Sequence, residues 1–404
     1  MAEDDDTAHT PTDTPPDAPG RPRRRRRWLM ITAGVVAFLL VATGVLLWIA
    51  YRKLDGNIRT DTATDKLLAR LEAERPSRTV GAKGAENILL IGSDDRSGTN
   101  GAYGGEAGTQ RSDTTILLHL AADRKHATAV SVPRDVMVTV PACEKPDGTR
   151  SKPALMQFNW AFELGGPACS IRTVEQLSGI RIDHYVILDF SGFKSMVDAV
   201  GGVEVCVPQA IHDKDARLDL PPGRQTLQGE QALGYVRARE SIGDGSDTQR
   251  MGRQQQFLAS LIRKVQSQGV LLNPAKLWPV LDAATSSIKA DGGLSSLGAL
   301  YDLTQDLRGV PSANVVFLTA PRRPYHFDSD RDEFVQPQTG QLFAALRDDR
   351  RITVRPPGSE PTPTAGASPA SDGAVGTGPL ASPTAGASPV FEGRTADVDA
   401  CAQH

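Results

Sequence analysis

The 404-residue chain has few aromatic residues and almost no net charge. Phe, Trp and Tyr make up 5% of it, and the formal net charge is −3. So low an aromatic content argues against a stacking platform for single-stranded nucleic acid, and a near-neutral chain offers no general basic field for nucleic-acid backbones. Any anion-binding site must therefore be local, and no nucleic-acid partner is expected.

Signatures of nucleotide and zinc binding are also missing. No βαβ unit opens with GxGxxG and no GxxxxGK[ST] occurs, so dinucleotide-binding and P-loop folds find no support. The chain has four cysteines and no CxxC motif, which leaves little support for a zinc site or for thioredoxin-like chemistry.

One long apolar run lies near the N-terminus. The uncharged segment WLMITAGVVAFLLVATGVLLWIAY, residues 28–51, follows the basic run RPRRRRR. At about 1.5 Å per residue it is long enough to cross a bilayer core of roughly 30 Å. A signal peptide is the alternative, but its apolar region would be shorter, about 7–15 residues. The arginines before the span predict a cytoplasmic N-terminus and an extracellular position for the rest of the chain.

All four cysteines follow this span. An even number in an oxidising compartment favours disulfides, although four cysteines allow three pairings and the sequence does not choose among them. We take Cys143 with Cys169 as the preferred pair, and buried free thiols as the alternative.

Changes in composition divide the chain into five parts. Residues 354–404 are rich in Pro, Ala, Gly, Ser and Thr and cannot bury enough apolar surface to fold, although Phe391 and Cys401 near their end could dock onto the body. We expect a disordered cytoplasmic tail at 1–27, a transmembrane helix at 28–51, an extracellular stalk at 52–84, one catalytic domain at 85–353 and a low-complexity tail at 354–404 that ends in a cysteine-containing segment.

The catalytic domain alternates strand and helix patterns. Apolar runs bounded by turn signals predict strands at 87–91, 114–120, 127–132, 185–188, 203–207 and 315–318. Helical periodicity predicts helices at 170–177, 191–200, 231–236, 248–267, 274–284 and 295–307. Strands mingled with helices indicate an α/β fold, a three-layer α/β/α sandwich with a mixed central sheet.

Charged residues are expected to meet at one end of that sheet. Asp94 follows the first predicted strand, and Arg111 and Asp113 precede the second. If the strands form an antiparallel hairpin, the next strand returns Arg134 to the same end. The group could be a set of salt bridges, or its carboxylates could hold Mg²⁺ together with substrate phosphate oxygens.

A second basic cluster lies further along the chain, in the segment GYVRARESIGDGSDTQRMGRQQQF. Its four arginines are Arg237, Arg239, Arg250 and Arg253. Asp247 has the position of a helix N-cap, and Gln254 lies with the last two arginines near the predicted helix start. A helix N-terminus with added arginines favours anions, so we interpret the cluster as a phosphate clamp. A surface salt-bridge cluster is the alternative.

Seven ordered blocks carry a family resemblance over about residues 87–264. They are NILLIGSDDR, RSDTTILL, SVPRD, FNWAFELGG, GIRIDHYVILDFSGFKSMVDAVGGVEV, LQGEQALGYVRAR and DTQRMGRQQQF. Together they resemble the LytR–CpsA–Psr family of cell-envelope glycopolymer transferases, and the outer cysteines and Pro/Ala-rich tail resemble its actinobacterial members.

The resemblance implies an activity and the residues that carry it. Family members move a wall glycopolymer, such as teichoic acid or arabinogalactan, from a polyprenyl-pyrophosphate carrier to peptidoglycan and form a phosphodiester. By resemblance, Mg²⁺ or Mn²⁺ would bind Asp94 and Asp113. The pyrophosphate clamp would consist of Arg111, Arg134, Arg237 and Arg239, supported by Arg250 and Gln254, with Arg253 beside them. Asp247 would either help to deprotonate the acceptor hydroxyl or only cap the helix.

Two details of the resemblance stay open. The family block before Asn159 often begins with lysine, whereas this chain has Gln157, which brings no charge to a phosphate. Phe190, Phe193, Met196 and Val197 could line a lipid tunnel, although such a stripe more often forms ordinary core, which is what we expect here.

Two other functions would use the same residues. A polyprenyl-pyrophosphate pyrophosphatase would replace the acceptor hydroxyl with water. A non-catalytic receptor would use the arginines only to hold an anionic polymer or a lipid pyrophosphate at the wall.

Overall fold

The computed structural model describes most of the chain outside its two termini. The described residues are 23–78, 82–93, 112–239, 247–267, 274–359, 390–398 and 401. The chain divides into two compact units, residues 1–52 and 53–404, and the second is called the body below.

The first unit contains most of helix α1, Arg23–Asn57. Its part from Arg27 onward is long and apolar enough to cross a membrane, with a mean hydropathy of 2.5 over its most apolar window and none of that window buried. The helix therefore fits a single-pass membrane anchor. Which side of the membrane each end occupies stays a prediction.

A nine-stranded mixed sheet forms the centre of the described body. Its order is β1-β12-β7-β2-β3-β4-β13-β17-β16. The bounds are β1 Arg59–Thr60, β2 Glu86–Ser93, β3 Ser112–Leu120, β4 Ala127–Val132, β7 His184–Leu188, β12 Ile288–Ala290, β13 Val315–Thr319, β16 Thr353–Arg355 and β17 Val390–Thr395. Strands β2, β4, β7 and β13 run in one direction, and β3 runs antiparallel between β2 and β4.

Four two-stranded pairs and eight helices surround this sheet in the described residues. The pairs are β5 Met137–Val140 with β6 Ala154–Gln157, β8 Val203–Val207 with β11 Gly223–Leu227, β9 Ile211–Asp213 with β10 Leu218–Leu220, and β14 Arg322–Tyr325 with β15 Asp328–Phe334. The helices are α2 Thr62–Arg70, α3 Trp160–Ser178, α4 Phe190–Ala199, α5 Gly229–Arg237, α6 Asp247–Ser267, α7 Pro274–Ser287, α8 Leu297–Gly309 and α9 Gln338–Arg347.

Alternating side chains of the central strands bury opposite faces of the sheet. On β3, Leu117 belongs to a core cluster with Ile171 of α3 and Leu342 of α9. Its neighbour Ile116 belongs to another cluster, against which Leu258 of α6 packs. Because strand side chains alternate with period two, helices cover both faces. The predicted three-layer α/β/α sandwich is confirmed, as are all six predicted strands and all six predicted helices.

The segment expected to be a stalk contributes to the body instead. Strand β1 pairs in parallel with β12, and α2 packs against α3. Asp61 caps α2 by accepting a hydrogen bond from the backbone N–H of Thr64, and it also pairs with Lys289 at 3.0 Å. The partners of β1 and α2 lie far away in the chain, so a local pattern could not show that this segment belongs to the body.

The C-terminal segment adds a strand to the sheet. Strand β17 pairs antiparallel with β13 and parallel with β16, and Phe391 is buried. Two disulfides are formed: Cys143–Cys169, which confirms the preferred pair, and Cys206–Cys401, which ties the last described residue to β8. The composition of 354–404 predicted a tail, whereas its two ends are part of the fold.

The Cys206–Cys401 disulfide should contribute strongly to stability, since it closes a loop across 195 positions of the sequence. We expect the Cys206→Ser/Cys401→Ser variant to lose about 2–4 kcal/mol of unfolding free energy. Thermal unfolding of the full chain in mild detergent, with and without reductant, measures this. Reductant should lower the melting temperature of the wild type more than that of the variant. An equal melting temperature for the two oxidised proteins would contradict the prediction.

His184 should make stability depend on pH. Its hydrogen bond to Asp291, 3.0 Å from Nδ1 to Oδ2, raises the pKa of His184, although burial opposes this. The stabilisation is complete below the unfolded pKa of about 6.5 and is lost as the pH rises through the raised folded value. We expect stability to fall as the pH rises above about 6.5 and His184→Gln to flatten this slope, measured by thermal unfolding at a series of pH values. An unchanged slope in His184→Gln would contradict the prediction.

Candidate active site

A cavity of about 510 Å³ lies between the central sheet and helices α4, α5 and α6. Its lining contains eight charged side chains beside a larger set of apolar ones. The charged residues are four arginines and four aspartates: Arg134, Arg237, Arg239, Arg250, Asp113, Asp189, Asp213 and Asp215. A single cavity therefore offers both a charged region and an apolar wall.

The apolar wall includes the stripe on α4 that the sequence led us to expect in the core. All four of its residues line the cavity: Phe190, Phe193, Met196 and Val197. The Phe193 ring lies 5.5 Å, centroid to centroid, from the ring of Phe257 on α6. Periodicity could not separate a cavity wall from a core because both require an apolar helix face.

The sheet brings two of the predicted charged residues into contact. Strand β3 pairs with β4 so that Thr115 lies opposite Val132, which places Asp113 and Arg134 at one edge. Arg134 Nη1 lies 2.5 Å from Asp113 Oδ1. Asp94 and Arg111, predicted for the same place, lie outside the described residues.

Arg134 is held by three carboxylates. Besides Asp113, its Nε lies 3.2 Å from Asp135 Oδ2 and 3.7 Å from Asp247 Oδ1. Burial by itself lowers the pKa of Arg134, but the charges of these carboxylates outweigh burial and raise it. The guanidinium is therefore permanently charged and fixed at the sheet edge.

Asp247 organises the arginines and does not face the cavity. It is the first residue of α6, and its Oδ1 lies 2.5 Å from Arg250 Nη2 and 3.2 Å from Arg239 Nη2. The carboxylate predicted as a base or a helix cap is thus engaged with guanidinium groups. In this structure its carboxylate contacts Arg239 and Arg250 and does not line the cavity.

Arg250 is the most buried cation of the cluster. Burial lowers the pKa of Arg250 to about 10, with Arg134 and Arg239 acting in the same direction and Asp247 opposing. It remains charged at neutral pH. Arg250, Arg134 and Arg239 share the single carboxylate of Asp247, so an anionic ligand in the cavity would supply further counter-charge to this cluster.

Arg237 and Arg239 lie at the end of α5. The Arg237 guanidinium lies 4.7 Å from the ring centroid of Phe190, where the ring face attracts a cation. The backbone N–H of Arg239 donates to Asp213 Oδ2 at 2.6 Å. Asp213, buried at the end of β9, was missed because no local pattern marks it, and its partner is 26 positions away.

Two residues predicted to bind phosphate donate hydrogen bonds to the end of α5. Gln254 donates from Nε2 to the carbonyl of Val236 at 3.0 Å, and Arg253 donates from Nη2 to the carbonyl of Ala238. The last carbonyls of a helix lack partners within it, so these bonds complete the end of α5. Arg253 does not line the cavity, whereas Gln254 does. Both fix the backbone from which Arg237 and Arg239 project.

Gln157, at the position where the family often has lysine, contacts Asp135 at the sheet edge. Its Nε2 donates to Asp135 Oδ1 at 2.8 Å, and Gln157 does not line the cavity. Gln157 therefore contacts a carboxylate, Asp135, that itself pairs with Arg134.

Comparison with known proteins identifies the family of the chain. The model of the LytR_cpsA_psr family matches residues 55–346. The chain belongs to this family.

Several relatives are named for cell-wall biosynthesis. The chain is 33% identical to the probable cell wall biosynthesis protein LcpB of Corynebacterium glutamicum, over 69% of this chain and 64% of LcpB. It is 36% identical to LcpA of the same organism, over 59% of this chain and 50% of LcpA. It thus spans between a half and two thirds of these relatives. It is also 28% identical to the polyisoprenyl-teichoic acid–peptidoglycan teichoic acid transferase TagT of Bacillus subtilis, over 76% of this chain and 90% of TagT.

Solved structures share the fold. Bacillus subtilis TagV superposes with a TM-score of 0.51 at 28% identity, covering 66% of this chain and 97% of TagV. A LytR-Csp2A-Psr enzyme from Actinomyces oris superposes with a TM-score of 0.53 at 22% identity, covering 67% and 93%.

Removing the charge of Asp247 should destabilise the arginine cluster. Asp247→Asn would leave Arg134, Arg239 and Arg250 without their shared counter-charge, and we expect a loss of about 2–4 kcal/mol of unfolding free energy. Inorganic pyrophosphate, as a replacement anion, should raise the melting temperature of this variant more than that of the wild type. Asp348→Asn, at an exposed pair elsewhere, is the control. Equal responses of the wild type and Asp247→Asn would disprove the shared role.

Proposed function

We propose that this protein transfers a glycopolymer from a polyprenyl-pyrophosphate carrier to peptidoglycan and forms a phosphodiester. The main support for this proposal is that arginines and an apolar wall line the same cavity. A polyprenyl pyrophosphate has the same two parts, a doubly phosphorylated head and a hydrocarbon chain. The names of the relatives, teichoic acid transferases acting on peptidoglycan among them, support the same reaction class.

In this reaction an acceptor hydroxyl oxygen forms a bond to the sugar-bearing phosphorus. The bond from that phosphorus to the bridging oxygen breaks, the polyprenyl phosphate leaves, and the hydroxyl proton is released. Such transfers require positioning and charge neutralisation more than covalent catalysis. Arg134, Arg237 and Arg239 line the cavity where the two phosphates would lie, and Arg250 supplies a buried positive charge behind them.

One carboxylate that could contribute to a Mg²⁺ site, Asp113, lies at the sheet edge. Asp113 lines the cavity as a partly exposed carboxylate, and Mg²⁺ commonly uses one or two carboxylates together with substrate phosphate oxygens. Asp113 and Asp94 would hold the ion, with Mn²⁺ as a substitute. When bound, it would neutralise charge on the phosphate oxygens. Arg134, which pairs with Asp113, would orient that carboxylate.

The apolar helix α1 supports a membrane location for the protein. A carrier lipid lies in the bilayer, so an anchored enzyme would meet its donor without diffusing through solvent. We propose that the body and its cavity lie on the extracellular side, as the basic run before the span predicts.

The function can be tested with the full chain in detergent, a polyprenyl-pyrophosphoryl oligosaccharide and peptidoglycan fragments, with and without Mg²⁺. We expect an acceptor heavier by the phospho-oligosaccharide and release of polyprenyl phosphate. Arg237→Ala should lower kcat/KM by about 10²–10³-fold, as the loss of one charge-stabilising donor does. Arg350→Ala, an exposed arginine paired with Asp348, should leave it unchanged.

The other outcomes separate the remaining functions. Release of lipid phosphate with an unchanged acceptor, for every fragment tried, would indicate a pyrophosphatase. Tight binding of the donor without release would indicate a receptor. Either result would contradict the proposal.

A further inference from the structure

The β14–β15 hairpin begins at the sheet edge that carries the arginine cluster. Strand β13 runs parallel to β4, with Thr319 opposite Ser131, so both strands end at the edge where Arg134 lies. The hairpin follows β13 directly, and the backbone N–H of Asp332 donates to the carbonyl of Asp135 at 3.1 Å. The hairpin base is therefore joined to the residue next to Arg134.

A buried ion pair and an aromatic contact fix that base. Arg322 of β14 pairs with Asp332 of β15, and both are largely buried. Burial raises the pKa of Asp332 against the opposing charge of Arg322, and the carboxylates of Asp247 and Asp135 add to the rise. Phe334 packs against Phe343 of α9 with ring centroids 6.3 Å apart. The hairpin is thus anchored beside the charged end of the cavity.

The tip of the hairpin carries three rings in mutual contact. The His326 and Phe327 centroids lie 3.8 Å apart, and the Tyr325 ring lies 4.7 Å from His326 and 5.5 Å from Phe327. Phe327 is 80% exposed, more than any other large hydrophobic side chain in the described part of the body. A preformed aromatic surface that faces solvent indicates a binding site.

The tip lies about 13 Å along the strand from the base, four residues at roughly 3.3 Å each. A short oligosaccharide could reach from the tip to the charged edge. The hairpin carries three arginines against four acids: Arg322, Arg323, Arg331, Asp328, Asp330, Asp332 and Glu333. This balance lacks the positive excess that an anionic membrane surface would attract. Carboxylates beside aromatic rings instead suit sugar rings, which present hydroxyl groups and C–H faces.

We propose that the β14–β15 hairpin binds the acceptor glycan, with Tyr325 and Phe327 stacked on its sugar rings. This inference rests on the proposed transferase function. Sugar rings present C–H groups to aromatic faces, and their hydroxyls can donate to Asp328 and Asp330 near the tip. The hairpin would hold a glycan strand so that one of its hydroxyls meets the phosphate at Arg134.

The test measures KM separately for acceptor and donor, using the full chain and the transfer assay above. Phe327→Ala should raise the KM for a soluble peptidoglycan oligosaccharide about three- to tenfold, the effect of one lost stacking contact. The KM for the lipid donor should stay unchanged. Phe327→Trp, which keeps a stacking ring, should restore acceptor KM. Tyr301→Ala is the matched control, because Tyr301 is 59% exposed on α8.

The outcomes that would contradict the hairpin's role differ from those that would contradict the proposed function. An acceptor KM equal to that of Tyr301→Ala would overturn the inference, and a raised donor KM instead would mean that the tip contacts lipid or membrane. If the wild type transfers nothing, the proposed function fails, and saturation-transfer NMR between the full chain and the oligosaccharide decides the hairpin's role. A signal lost in Phe327→Ala would support glycan binding, and an unchanged or absent signal would exclude it.

Discussion

The carboxylate of Asp247 makes it possible for several arginines to lie close together at one sheet edge. Arg239 and Arg250 contact its Oδ1 directly, and Arg134 lies 3.7 Å away. Like charges at such separations repel strongly in a partly buried site unless a counter-charge is shared. Asp247 does not line the cavity, whereas Arg134, Arg239 and Arg250 do. Its charge therefore lowers the cost of bringing these arginines together without occupying the space in front of them.

Hydrogen bonds between the end of α5 and the start of α6 also fix the position of the arginines. Gln254 and Arg253 satisfy the last carbonyls of α5, and Asp213 accepts from the backbone of Arg239. These bonds fix the chain around Arg237 and Arg239 before any ligand arrives. Electrostatic stabilisation of a reacting phosphate depends on donors that are already in place, so in the proposed transfer these capping bonds would serve the chemistry as well as the fold.

The apolar half of the cavity uses the same helices. Strand β7 leads into α4, whose Phe190 meets both the hydrocarbon region and the Arg237 guanidinium. A cation–π contact therefore lies where the charged and apolar parts of the lining meet. A substrate with a charged head and an apolar chain, as we propose, would extend across both parts.

The sequence by itself determined the layers, the main strands and helices, and the contact of Asp113 with Arg134. Those features follow from period-two and period-3.6 patterns and from hairpin geometry, which act over short distances. Tertiary structure alone decided the insertion of β17, the Cys206–Cys401 link, the wall-lining role of Phe193 and the conversion of Arg253 from a clamp residue to a helix cap. Each depends on a partner far away in the chain. A local sequence pattern can show that a residue needs a partner, but it does not identify that partner.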